Sequence, residues 1–223
     1  MSAVLTFTLF VTTQCQHEPI GNVNNLGGGD TTTHTVVQED TNICFERDIL
    51  PLFVSNCATS GCHDAISRVE GLNLTTYNNI MRGIRANLPN NSKYFTAITS
   101  GYMPPYSAMP QEQIALIKKW ILQGAKNGTN CPSKCDSTSY TFTKNIQPMI
   151  NTYCLGCHKG TSAGGGVDLS AYNGIKTAAL AGSLMGTIEG KSGYSFMPKG
   201  GSSLNTCQKT QLKKWIAAGC LNN

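Results

Sequence analysis

From residue 47 onward the chain repeats itself. RDILPLFVSNC (47–57) aligns with KNIQPMINTYC (144–154), so that Pro51 and Pro148 each stand six residues ahead of a cysteine, Cys57 and Cys154. LNLTTYNNI (72–80) matches VDLSAYNGI (167–175), and QIALIKKWILQGA matches QKTQLKKWIAAGC, with Trp120 and Trp215 at the same 95-residue shift. A repeat of that length divides 223 residues into two small domains, each long enough to bury a core. Charge divides in the same way. Residues 1–46 carry five acids and no Lys or Arg, while 47–135 and 136–223 each stand at +5. The boundary falls in NGTNCPSKCDSTS (127–139), where turn formers cluster.

Each copy reads as short helices joined by long loops, and the fold class expected is all-α. In the closing helix of the first copy, Ile114, Ile117 and Ile121 recur at three and four residues, Leu116 and Trp120 fill the stripe, and Gly124 is the stop. Its partner runs from Thr206, a candidate N-cap, through Leu212, Trp215 and Ile216 to Gly219. Thr75 or Thr76 caps a helix over 77–84, as Ser170 does around Tyr172. Long alternating apolar runs, the mark of a sheet, do not occur.

The chemistry lies where the copies hold their cysteines. The second copy contains CLGCH, Cys154, Cys157 and His158. Two thiols with two residues between them, and histidine immediately after, form the haem-attachment pattern, in which the thiols add to the vinyl groups and the histidine supplies an axial nitrogen. The first copy contains CATSGCH, Cys57, Cys62 and His63, with four intervening residues. Its alignment with the second motif and the shared GCH ending give it the same reading, the extra two residues bulging out ahead of the Cys-His pair. A redox disulfide of the thioredoxin kind needs a βαβ setting that the sequence lacks. A zinc site leaves the histidine after each pair unexplained. A methionine also recurs, Met103 lying 40 residues after His63 and Met197 39 after His158, both before proline in loops. These two are candidate second axial ligands. Met109, also before proline, stands at the head of the last helix, where packing accounts for it.

On these motifs, over residues 43–223, the chain resembles a tandem pair of class I c-type cytochrome domains, similar to the planctomycete-type modules of secreted bacterial lipoproteins. The resemblance implies two covalently attached haem c groups, held by Cys57, Cys62, His63 and Met103 in the first domain (43–130) and by Cys154, Cys157, His158 and Met197 in the second (131–223). Iron with both axial positions filled by protein favours electron transfer over substrate chemistry. The expected function is therefore single-electron relay between donor and acceptor proteins, without catalysis. A dihaem peroxidase is the alternative; it needs one iron with a displaceable ligand, and both copies carry a methionine. Lys118, Lys119, Lys213 and Lys214 either steer an acidic partner or form a solvated helix face.

The remaining sequence bears on location. Ala3 to Val11 is an apolar stretch of nine residues, so 1–14 reads as a signal peptide, or else as an edge strand. Cys15 then stands where a lipoprotein is cleaved and lipidated, with a disulfide role as the alternative. Residues 15–42, rich in Asn, Gly and Thr, read as a flexible tether, and His17 and His34 within it as solvated. The chain is expected in the periplasm or at the outer membrane or cell surface. No apolar run reaches the 18 or so residues of a spanning helix, which argues against a helical channel, and a net +5 is too modest for a nucleic-acid reader. Of ten cysteines, four belong to the motifs and one to the anchor. The other five, Cys44, Cys131, Cys135, Cys207 and Cys220, suit two disulfides and one free thiol. Cys44 with Cys131 ties the ends of the first copy, and Cys135 pairs with Cys220 or Cys207.

Overall fold

A computed structural model describes residues 42–105, 108–200 and 203–223. The expected signal segment, Cys15, His17, His34 and the tether up to residue 41 lie outside the described residues. Those described are helical, without a strand: α1 (Leu50–Asn56), α2 (Tyr77–Ile80), α3 (Lys93–Thr99) and α4 (Gln111–Leu122) in the first copy, α5 (Gln147–Tyr153), α6 (Tyr172–Leu180), α7 (Ser183–Glu189) and α8 (Thr206–Ala217) in the second.

Both copies start with the same irregularity, and proline is its cause. Pro51 and Pro148 have no N–H to give to the preceding turn and crowd the carbonyl four residues back. Ahead of each the helix is widened to a π-helical turn, Phe45–Ile49 and Phe142–Ile146, and the N–H of Leu50 or Gln147 reaches back five residues to the carbonyl of Phe45 or Phe142. The wider turn directs Phe45 and Phe142 inward. Phe45 packs edge-on to Tyr77 with ring centroids 5.0 Å apart and lies 5.5 Å from Trp120; Phe142 meets Tyr172 and Trp215 at 5.0 and 5.8 Å. Aromatic pairs at such distances contribute about 0.5–1.5 kcal/mol beyond the area they bury.

The polar edges of these rings are satisfied by one turn. Past α4 and α8 the chain reverses through Gly124 and Gly219, at φ +88° and +86°, followed by Ala125 and Cys220, also left-handed. Tyr77 donates its hydroxyl to the Ala125 carbonyl and Tyr172 to that of Cys220. Trp120 Nε1 donates to Lys126 O at 3.0 Å, and Trp215 Nε1 to Leu221 O at 2.9 Å. Both tryptophans are 1% exposed with no polar atom stranded.

Each copy has its own apolar core, one around Ile49, Leu52, Phe53, Ile80, Ile117 and Trp120, the other around Ile146, Ile150, Ile175, Leu184, Leu212 and Trp215. Met109 and its counterpart Leu204 are buried in these cores, as packing residues at a helix head should be. The segment 127–139 serves both copies. Gly128 O and Pro132 O accept from Glu46 N and Arg47 Nη1, whereas Asp136 O and Ser139 O accept from Gln211 Nε2. Disulfides Cys44–Cys131 and Cys135–Cys207 tie its two parts down. Cys207 is thus the partner of Cys135, and Cys220 is free and buried in the second core. Two disulfides fit an oxidising compartment. No helix among the described residues is long and apolar enough to cross a membrane.

Local expectations change at the caps. α8 is capped by Asn205, not Thr206: the Asn205 side chain accepts from Gln208 N at 2.9 Å and the Gln208 side chain returns to Asn205 N, a complete capping box. Thr76 and Ala171 occupy the N-cap positions of α2 and α6 without a side-chain cap bond, so Ser170 is not the cap. Its neighbour Thr75 instead donates to Asn73 Oδ1. The helix expected over 77–84 ends as α at Ile80 and finishes in a 3-10 turn, Met81–Gly83, where the Tyr94 ring lies over Gly83 and Ile84 is extended. In the second copy Ala178 and Ala179 let α6 continue to Leu180.

The copies meet within one compact unit through α1 and α5. Ser55 Oγ donates to Thr152 O at 2.7 Å, and Gln113 Nε2 to Asn151 O at 3.1 Å. Gly156 sits directly under Ser55, where a Cβ would lie 1.7 Å from the Ser55 carbonyl oxygen.

Candidate functional site

The end of α1 and the end of α5 lead straight into the two cysteine motifs. The N–H groups of Cys57 and Ala58 return to Phe53 O, and those of Cys154 and Leu155 to Ile150 O, so the first two motif residues are placed alike in both copies. At the far end Gly61, Cys62 and His63 correspond to Gly156, Cys157 and His158. The residues without a counterpart are therefore Thr59 and Ser60. A tight turn from Thr59 O to Cys62 N at 3.0 Å absorbs them, and His63 N still donates to Cys57 O at 3.1 Å, as His158 N does to Cys154 O at 3.0 Å. The longer motif preserves the relation between its first cysteine and its histidine.

Both histidine rings are held in one way. His63 Nδ1 lies 3.1 Å from Val69 O, and His158 Nδ1 lies 3.1 Å from Val167 O. A carbonyl only accepts, so Nδ1 carries the proton and Nε2 keeps its lone pair. The carbonyl of each histidine accepts from a core leucine, Leu74 or Leu169, at 2.8 Å. Ring and backbone are fixed, and Nε2 has no protein partner among the described residues.

The loops before α4 and α8 bring in the methionines. Met103 N donates to Ala97 O and Met197 N to Thr187 O, each at 3.0 Å, and Met103–Pro104 and Met197–Pro198 are both cis. Cys57, Cys62, His63 and Met103 line one cavity of about 390 Å³, with Phe53, Leu74 and Ile98 among its apolar walls and Lys93 at its side. Cys154, Cys157, His158 and Met197 line a second of about 500 Å³, with Leu169, Leu184 and Ile188 and with Lys199. All eight residues singled out from the sequence are thus brought together four by four, each set from a single copy. The residues that line the other copy's cavity, Val54, Ser55 and Ser60 with Thr59 of the first copy and Gly156 of the second, carried no signal in the sequence beyond the length of the first motif.

Burial dominates the electrostatics of the thiols. It pushes both Cys57 and Cys154 up to about 12, the neighbouring Cys62 and Cys157 adding to it. Cys157 is also raised, by burial and then by Cys62 of the other copy. No cluster of three His, Cys, Asp or Glu suited to a metal occurs among the described residues. Two cysteine sulfurs, a lone imidazole Nε2 and a thioether around each apolar cavity suit a large planar group bound through sulfur and nitrogen, and haem c fits this donor set. No family model matches this chain, and neither a curated protein nor a solved structure matches it.

Proposed function

We propose that the chain is a dihaem c-type cytochrome, of the kind its motifs resemble, that relays single electrons between a donor and an acceptor protein outside the cytoplasm. The observation that carries this reading is the gathering of two separate Cys, Cys, His, Met sets around two apolar cavities. In the proposed assignment Cys57 with Cys62, and Cys154 with Cys157, would hold a haem through thioethers, and His63 with Met103, and His158 with Met197, would be the protein's ligands to its iron. When bound, each haem supplies a one-electron iron couple.

The protein's own part is to position and exclude. The Val69 and Val167 carbonyls fix the imidazole tautomer and ring direction, as groups behind a metal ligand do. Met103 and Met197, if bound to the iron, would keep substrate away from it, and the apolar walls would favour the less charged, reduced state. Once attached, the sulfurs would be neutral thioethers, which the apolar surroundings of Cys57 and Cys154 suit. Lys118 and Lys119 are exposed on α4 and available to an acidic partner. Lys213 pairs with Glu189 at 2.6 Å and Lys214 donates to Ser137 O, which ties that face of α8 to its own domain. The peroxidase alternative gains no observation in its favour, since both cavities include a methionine.

The deciding experiment is haem quantitation and a visible spectrum on the full chain produced with a cytochrome c maturation system. Two covalent haems per chain with c-type reduced bands are expected; no covalent haem overturns the reading. Sustained turnover of peroxide with an electron donor would replace relay by catalysis.

A further inference from the structure

The two cavities are built unequally across the junction of the copies. The second borrows Val54, Ser55, Thr59 and Ser60 from the first copy, whereas the first borrows only Gly156 from the second. Thr59 lines both, and Ser60 lines the second alone. The packing of α1 on α5 explains this. With Gly156 pressed against the Ser55 backbone and Cys157 Sγ 4.0 Å from Ser55 O, the end of α1 and the loop after it lie beside the motif of the other copy. The two residues that lengthen the first motif enter at this place. They leave the Cys57 to His63 relation unchanged, so they are not needed there, and they extend the first copy over the neighbouring cavity.

Building on the dihaem reading, we propose that Thr59 and Ser60 are environment-determining residues for the second site, supplied by the first copy, and that they make two sites with identical ligand sets unequal in potential. Ser60 is exposed and stands on the wall of the second cavity. A charge placed there acts on the nearer iron. A negative charge stabilises the oxidised form and lowers the midpoint; a positive charge raises it.

The test uses the full chain, matured with haem, bearing Ser60→Asp or Ser60→Lys, in a spectroelectrochemical titration at low ionic strength, where surface charges are least screened. The two waves are assigned with Met103→Leu and Met197→Leu, each of which displaces its own wave. The expected result is that Ser60→Asp lowers and Ser60→Lys raises the midpoint of the second site, at least twice as far as that of the first. Equal shifts, a larger shift at the first site, or none at either would overturn the proposal. Where a charge inside the motif prevents attachment at Cys57 and Cys62, the neutral Ser60→Ala replaces it, and the hyperfine-shifted proton resonances of the second haem are expected to move while those of the first stay. Resonances moving only at the first haem, or at neither, overturn it equally. Fewer than two haems on the unaltered chain is a different failure, that of the dihaem reading itself.

Discussion

His63 and His158 show how much one backbone carbonyl decides. Without the Val69 or Val167 acceptor either nitrogen could carry the proton; with it, Nε2 keeps its lone pair for the cavity. The methionines complete each set, so each supports its own prediction. On the proposed dihaem reading, Met103→Leu is expected to retain two covalent haems, since both cysteine pairs would still attach them, while the spectral signature of methionine ligation falls by about half; visible and mass spectra check both. A second residue-scale prediction concerns Glu189. Hydrogen bonds from Lys213 and then Lys191 hold its carboxyl below the ordinary carboxylate range. A carboxylate depressed in the folded state stabilises it above the unfolded pKa, and that contribution is lost as pH falls through the folded value. Glu189→Gln should therefore lower the thermal midpoint slightly at neutral pH, the lysines being exposed and screened by salt. The difference from the parent should close in acid, below the carboxylate range. Thermal melts across pH check it. The eight candidate site residues were legible because their types and spacing recur in two copies. The valine carbonyls were not, because any residue supplies a carbonyl and only the path of the loop aims it.

At the scale of elements, α1 and α5 were legible as aligned segments, and the proline in each explains the widened turn that the alignment does not show. The contact of α1 with α5 is a different matter. It rests on a hydrogen bond from Ser55 to the main-chain carbonyl of Thr152 and on the absence of a side chain at Gly156, and α4 adds a bond from Gln113 to the Asn151 carbonyl. Gly156→Ala is expected to destabilise the chain by about 2 kcal/mol, in the range for an overpacked contact, because its Cβ would meet the Ser55 carbonyl at 1.7 Å and backbone cannot swing aside. The corresponding Gly61→Ala meets no atom within 4 Å but forces a left-handed residue, φ +83°, to carry a Cβ. Its cost should be about 1 kcal/mol. Denaturant melts of the two variants give the comparison, and a smaller loss at Gly156 than at Gly61 would contradict it. Caps were less legible than stripes. A threonine before an apolar run is a common signal, but Asn205 with Gln208 makes the reciprocal pair at α8, and the loop geometry selects it.

Over the whole molecule the two disulfides flank the segment where the copies join. Cys44–Cys131 closes 87 residues and Cys135–Cys207 closes 72. Reducing either should cost roughly 4–5 kcal/mol by the chain-entropy argument. A non-reducing peptide map is expected to return these two pairs with Cys220 as a free thiol, labelled only on unfolding because it is buried. What the sequence by itself determined is the duplicated helical plan, the four-residue set in each copy and the place of the join, because residue type and spacing along one chain suffice for periodicity and for a local motif. Only the tertiary structure decided that Cys207, not Cys220, meets Cys135, that Thr59 and Ser60 reach the second cavity, and that Gly156 sits against Ser55. These depend on how two copies pack against each other, and a repeat, being the same pattern twice, does not encode the angle at which its halves meet.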